Sequence, residues 1–113
     1  MASAIIDMAE KLGKAISESP QAVKLREVRK ELDQHKDVLE TLQQYQEQAR
    51  KLEQLQHENK PVEVEDKHKL RDLHEKLVAS EVFKRFTAAQ VEYVDLMRQV
   101  NQALRKQLAE VEK

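Results

Sequence analysis

Histidine and carboxylate spacing offers the chain's best opening for chemistry. Glu65, His68, Asp72 and Glu75 recur at i, i+3, i+7 and i+10, which on a helix would bring them to one face beside Arg71 and His74. Imidazole and carboxylate ligands so arranged could hold a divalent metal ion. A di-iron bundle needs its Glu-x-x-His pair on two helices, and the chain has no second copy. The segment therefore reads as a solvated charged face with no metal ligated, and His35 and His57 are expected at exposed or boundary positions.

Other catalytic constellations fail on composition. There is no cysteine, which removes disulfides, thiolate metal ligands and a cysteine nucleophile. Ser3, Ser17, Ser19 and Ser80 all fall at expected helix ends, where capping accounts for them. Gly13 is the single glycine, so a Gly-rich phosphate loop cannot be built. No cofactor and no enzymatic activity are expected.

Charge argues in the same direction. Of 113 residues, 20 are Lys or Arg and 21 are Asp or Glu, giving a formal net charge of -1, and the signs are interspersed. The clusters Lys24, Arg26, Arg29, Lys30 and Lys67, Lys69, Arg71 are interleaved with acids, as solvent-facing helices usually are. A phosphate-tracking surface normally shows as a basic excess, so direct nucleic-acid binding is not expected. No apolar run approaches the roughly 20 residues that cross a bilayer. The start, Met1 to Asp7, lacks the basic and long apolar regions of a secretion signal. The expectation is a cytoplasmic protein with no membrane insertion.

What positions these residues must be helical. One Gly, two Pro and 4% aromatics cannot supply the turns of a sandwich, a barrel or a wound sheet. Ile5, Met8, Ala9, Leu12, Ala15 and Ile16 lie on one face of a first helix from Ser3 to Ser17, in which Gly13 could mark a close helix contact. Ser19 with Pro20 predicts the start of a second helix carrying Val23, Leu25, Val28 and Leu32. Asp33 or Asp37 could cap a third, unless the second simply bends. Val38, Leu42, Tyr45, Ala49 and Leu52 form a heptad-like seam, and the glutamines from Gln43 to Gln48 are read as its outer positions. Asn59-Lys60-Pro61 predicts a loop, and Glu63, Glu65 and Asp66 suit the N-terminus of a fourth helix carrying Leu70, Leu73, Leu77 and Val78. Ser80 could cap the last helix.

That last helix shows Phe86, Gln90, Tyr93, Met97, Val100 and Leu104 in a 4-3-4-3-4 ladder, with Val111 one heptad on. Read from Glu81 to Lys113 it would be about 50 Å long at 1.5 Å per residue, against a radius of gyration of about 13 Å for a compact chain of this size. The fold expected is a single all-α domain over residues 1–113, an elongated bundle of about five helices with a long C-terminal one. Its stripes call for a second chain. Tyr93, Met97, Val100 and Leu104 are the residues expected to make the protein contact, in a homodimer.

The order of these segments resembles the YlbF/YmcA family of small bacterial helical proteins, which includes YheA-like members. The resemblance rests on Ala9-Glu10-Lys11-Leu12-Gly13-Lys14-Ala15-Ile16-Ser17-Glu18-Ser19, on the run from Leu77 to Tyr93, and on Leu96-Met97-Arg98-Gln99-Val100-Asn101-Gln102-Ala103-Leu104 with its Val-Asn pair. It implies an all-helical dimer with no catalytic residues to carry across. It also implies a cytoplasmic regulatory role in competence, sporulation or biofilm development, with some relatives joining a complex that directs an endoribonuclease in RNA maturation. Cysteine-ligated iron–sulfur clusters are associated with that complex, and a chain without cysteine contributes no thiolate to one. Function is thus expected to be that of a non-enzymatic adaptor that binds other regulatory proteins. The alternative is a helical-hairpin chaperone resembling prefoldin, which would need β-hairpins between its long helices, and Asn59 to Asp66 is too short for one. A metal-dependent helical enzyme, resting on the His68 cluster, comes third.

Overall fold

Ordinary capping chemistry divides the chain into helices. The computed structural model describes residues 2–112 and contains α1 (Ala2–Ser17), α2 (Pro20–Asp33), α3 (Lys36–His57), α4 (Val64–Val78) and α5 (Glu81–Leu108), with no strand among the described residues. Between α1 and α2, the Ser19 hydroxyl accepts from the Ala22 backbone N–H at 3.2 Å and donates to the Ile16 carbonyl at 2.6 Å. One side chain thus closes one helix and opens the next, with Pro20 at the first helical position, where its missing N–H has no partner to lose. Ser80 repeats the device at α5, accepting from the Phe83 N–H at 3.2 Å.

At the α2–α3 junction a new helix starts, as one of the two expected readings had it, but neither aspartate caps it: Asp33 ends α2, Asp37 lies inside the first turn of α3, and His35 occupies the N-cap with no side-chain cap bond. The His35 ring instead places Nδ1 2.9 Å from the Glu31 carbonyl, serving the acceptor that the end of α2 leaves free.

The α3–α4 connection follows the sequence closely. Asn59 has φ 58°, the left-handed conformation that Asn tolerates. The Lys60 N–H donates to Leu55 O at 2.8 Å and the Asn59 N–H to Gln56 O at 3.1 Å, the paired bonds of a Schellman ending. Pro61 prevents any continuation. Glu63 then takes the N-cap of α4, with Glu65 and Asp66 in its first turn.

The chain forms two compact units. Arg29–Phe86 makes one, in which Leu32, Leu52, Leu73, Leu77 and Val82 are buried and α3 packs on α4. Gln48 is 5% exposed, which corrects the outer position expected for it. Its amide donates to the Asp66 carbonyl at 2.9 Å, so a buried polar group is satisfied and α3 is pinned to the first turn of α4. Lys51 adds an ion pair to Asp66 at 3.1 Å, and these donors hold the Asp66 carboxyl below the usual carboxylate range. Arg85 donates from Nη1 and Nη2 to the two carboxylate oxygens of Glu31, which likewise lowers the Glu31 pKa.

The second unit joins Met1–Val28 to Thr87–Lys113, and its buried apolar residues are Ala22, Val28 and Ala89. Its α5 portion ends sooner than the spacing implied. The helix stops at Leu108, about 42 Å from its start at 1.5 Å per residue, and residues 109–111 form a turn in which the N–H groups of Val111 and Glu112 both reach Leu108 O. The last carbonyls of any helix lack partners, so the final turn tightens. Gly13 also departs from expectation, since a Cβ built there would meet nothing within 4 Å. Gly13→Ala should therefore stabilise the chain by about 0.5–1 kcal/mol through lower chain entropy, read as a higher urea midpoint at unchanged slope.

Candidate interaction surface

The smaller of the two cores leaves much apolar surface uncovered. On α1, Ile5, Ile6, Met8 and Leu12 are exposed, Met8 by 69%, while Ile16 at the helix end is half-buried. Spacing placed Ile5, Met8, Leu12 and Ile16 on one face of an amphipathic helix, and the structure leaves all but Ile16 of these exposed.

On α5 the cover fades along the helix. Val82 and Ala89 are buried, Tyr93, Met97 and Val100 are half-buried, and Leu104 is 47% exposed, followed by exposed Leu108 and Val111. Gln90, expected in the ladder, is exposed, and Ala89 takes the inward position beside it. The four residues singled out from the ladder thus share one helix, and all keep surface available.

Where α1 meets α2, Arg26 straps the corner. Its Nη2 donates to the Ser17 carbonyl at 2.8 Å and its Nη1 to the Ser17 hydroxyl at 3.3 Å. Ser17 is therefore a tie between helices rather than a cap. Beside it lies an apolar cavity of about 290 Å³ lined by Gly13, Ile16, Ala22, Leu25 and Tyr93 with Ser17 and Arg26. Further along α5, Val94 and Met97 floor an open groove of about 390 Å³ between Arg98 and Arg105. On the polar side, Asp95 accepts from Arg98 at 2.5 Å and Gln99 at 2.8 Å, which lowers its pKa.

The histidine cluster sits in the other unit. Glu65, His68 and Asp72 line an open groove with Gln44, Lys69 and Lys76 over Leu73. Two lysines share that groove, Arg71 pairs with Asp72 at 3.8 Å and with Glu75 at 4.0 Å, and His74 lies against the Tyr45 ring at 5.9 Å. Asp72 and Glu75 thus face Arg71, His74 faces Tyr45, and no group of three His, Asp or Glu side chains is placed to hold a metal ion among the described residues. His35 and His57 are exposed. No helix among the described residues is long and apolar enough to cross a membrane.

Most of the exposed large apolar residues of the unit that joins Met1–Val28 to Thr87–Lys113 lie on α1 and along α5. The profile of the family described as "Control of competence regulator ComK, YlbF/YmcA" matches residues 5–109. The chain belongs to the YlbF/YmcA family. The match takes in all of α2 to α5 and most of α1, so both apolar stripes fall inside the YlbF/YmcA region. No curated protein sequence matches the chain significantly. YlbF/YmcA proteins form a regulatory family, described by control of a competence regulator.

Proposed function

We propose that this YlbF/YmcA protein is a non-enzymatic cytoplasmic adaptor that self-associates and exerts its regulatory effect by binding other proteins. RNA processing or developmental regulation is the setting proposed for it. The observation that carries this reading is the pair of partly exposed apolar stripes on α1 and distal α5, within a chain matched to a regulatory family over residues 5–109. Isolated exposed apolar residues are ordinary, but contiguous ones at helical spacing mark an interaction face. Tyr93, Met97, Val100 and Leu104 form the contact proposed on α5. The interspersed charge supports binding to protein over nucleic acid, and RNA is expected to bind the isolated chain weakly and with strong salt dependence.

The experiment combines light scattering at about 50 micromolar, well above the Kd of a stable interface, with affinity capture from the native host. A dimer that retains a defined set of regulatory proteins is the expected result. A monomer that retains none, or one that binds RNA below micromolar concentration at physiological salt, would overturn the adaptor.

A further inference from the structure

The cavity at the α1–α2 corner has the make-up of a small-ligand site. Ile16, Ala22, Leu25 and Tyr93 give it apolar walls, and Ser17 and Arg26 give it a polar side. Small-molecule sites share that plan, in which apolar walls bury the ligand and a few placed polar groups orient it. We infer that the cavity binds a short aliphatic carboxylate, its chain among the apolar walls and its head group on Arg26. This goes beyond the adaptor reading and shares only Tyr93 with the contact proposed on α5.

Arg26 selects the head group. The residues three and four positions from it on α2 are Ala22, Val23, Arg29 and Lys30, so no acid on its own helix face answers its charge. It forms no ion pair among the described residues. Its bonds to the Ser17 carbonyl and hydroxyl go to neutral oxygens, holding the guanidinium in place while further N–H donors remain for a ligand. A carboxylate matches that fork with two parallel hydrogen bonds. One guanidinium also balances a single negative charge, which suits a carboxylate better than the near-dianion of a phosphate ester.

Volume and Gly13 select the tail. A dry cavity of about 150 Å³ holds a benzene ring. By that measure this cavity, about 290 Å³ and open to solvent, has room for a chain of about eight carbons. Gly13 lines it too. A glycine inside a helix is destabilising, and the usual reasons to keep one are missing: its φ is not positive, and a Cβ would meet nothing within 4 Å. The chain's own packing does not call for this residue, whereas a ligand lying along α1 does.

Octanoate is the probe, titrated calorimetrically into the full chain beside 1-octanol and octylamine of equal chain length. It should saturate at one per chain and bind at least about tenfold more tightly than octylamine, the scale of one charged hydrogen bond. Arg26→Gln should weaken octanoate by about the same factor and leave octanol unchanged. Gly13→Leu fills the cavity from α1 and should abolish binding of both while the chain keeps its helical circular dichroism. Amide exchange in α1 should slow when octanoate binds, because Gly13 and Ile16 would then be covered. Uptake that never saturates, equal binding of octylamine, or binding that survives Gly13→Leu would overturn the site. Loss of octanol binding in Arg26→Gln would make Arg26 a strap alone and overturn its part in choosing the head group. None of these results bears on the adaptor, which is judged by mass and by retained partners.

Discussion

In the proposed dimer, Val100→Glu should leave a monomer in light scattering and lower the melting temperature. Val100 is half-buried by its own chain, and it stands between Met97 and Leu104 on the stripe that a second copy would cover. A carboxylate there would be taken out of water when a second copy covers the stripe, and burying an unpaired charge costs several kcal/mol. Since each 1.4 kcal/mol is a factor of ten in Kd, a hundredfold or greater weakening is expected. The wild-type melting temperature should rise with protein concentration, because association stabilises the folded state by mass action. The variant's should not. A variant that keeps both its mass and its melting temperature would sink the proposal that this stripe forms the interface.

Leu77→Ala should destabilise the chain by about 2–5 kcal/mol, the usual cost of emptying a packed leucine site. Leu77 is 2% exposed near the end of α4, and its neighbour Val78 is 41% exposed, although both lay in the same apolar run of the sequence. The open cavity of about 290 Å³ that Leu77 borders, with Val38 and Thr41 of α3 across from it, would widen when the side chain is lost. Val78→Ala should cost less than about 1 kcal/mol by the same reasoning. Urea titrations of both variants check this: the Leu77→Ala midpoint should fall at constant slope, and equal shifts for the two would mean that the burial assigned to Leu77 is wrong.

Sequence was most legible where a helix end is set by local chemistry. Ser19 with Pro20 and Ser80 cap through their hydroxyls, and Asn59 before Pro61 closes α3 through its left-handed backbone, each within five residues, so type and order suffice to place them. The residue at the start of α3 was misplaced because no side chain caps it; the signal lies in the His35 ring turned back on Glu31, which spacing does not reveal. Gln48 escaped for another reason. It sits three residues after Tyr45 and four before Leu52, on the inward face, but its polarity masked a position that only the Asp66 carbonyl makes tenable. Ala89 displaced Gln90 for want of bulk to advertise it. The stripes on α1 and α5 were visible as patterns, while the extent of their exposure depends on which neighbours fold over them.

The unit made of Met1–Val28 and Thr87–Lys113 draws its two pieces from opposite ends of the chain. The ribosome releases α1 well before distal α5, so this unit cannot close until the residues between its two pieces have been made. The Arg29–Phe86 unit has all its partners earlier, and the α3–α4 hairpin closes a short loop, the kind of contact that forms fast. Folding during translation should therefore begin in the middle of the chain. Through that interval the α1 stripe waits in solvent, open to capture by whatever apolar surface it meets first, which makes the N-terminal helix the segment most in need of protection in a growing chain.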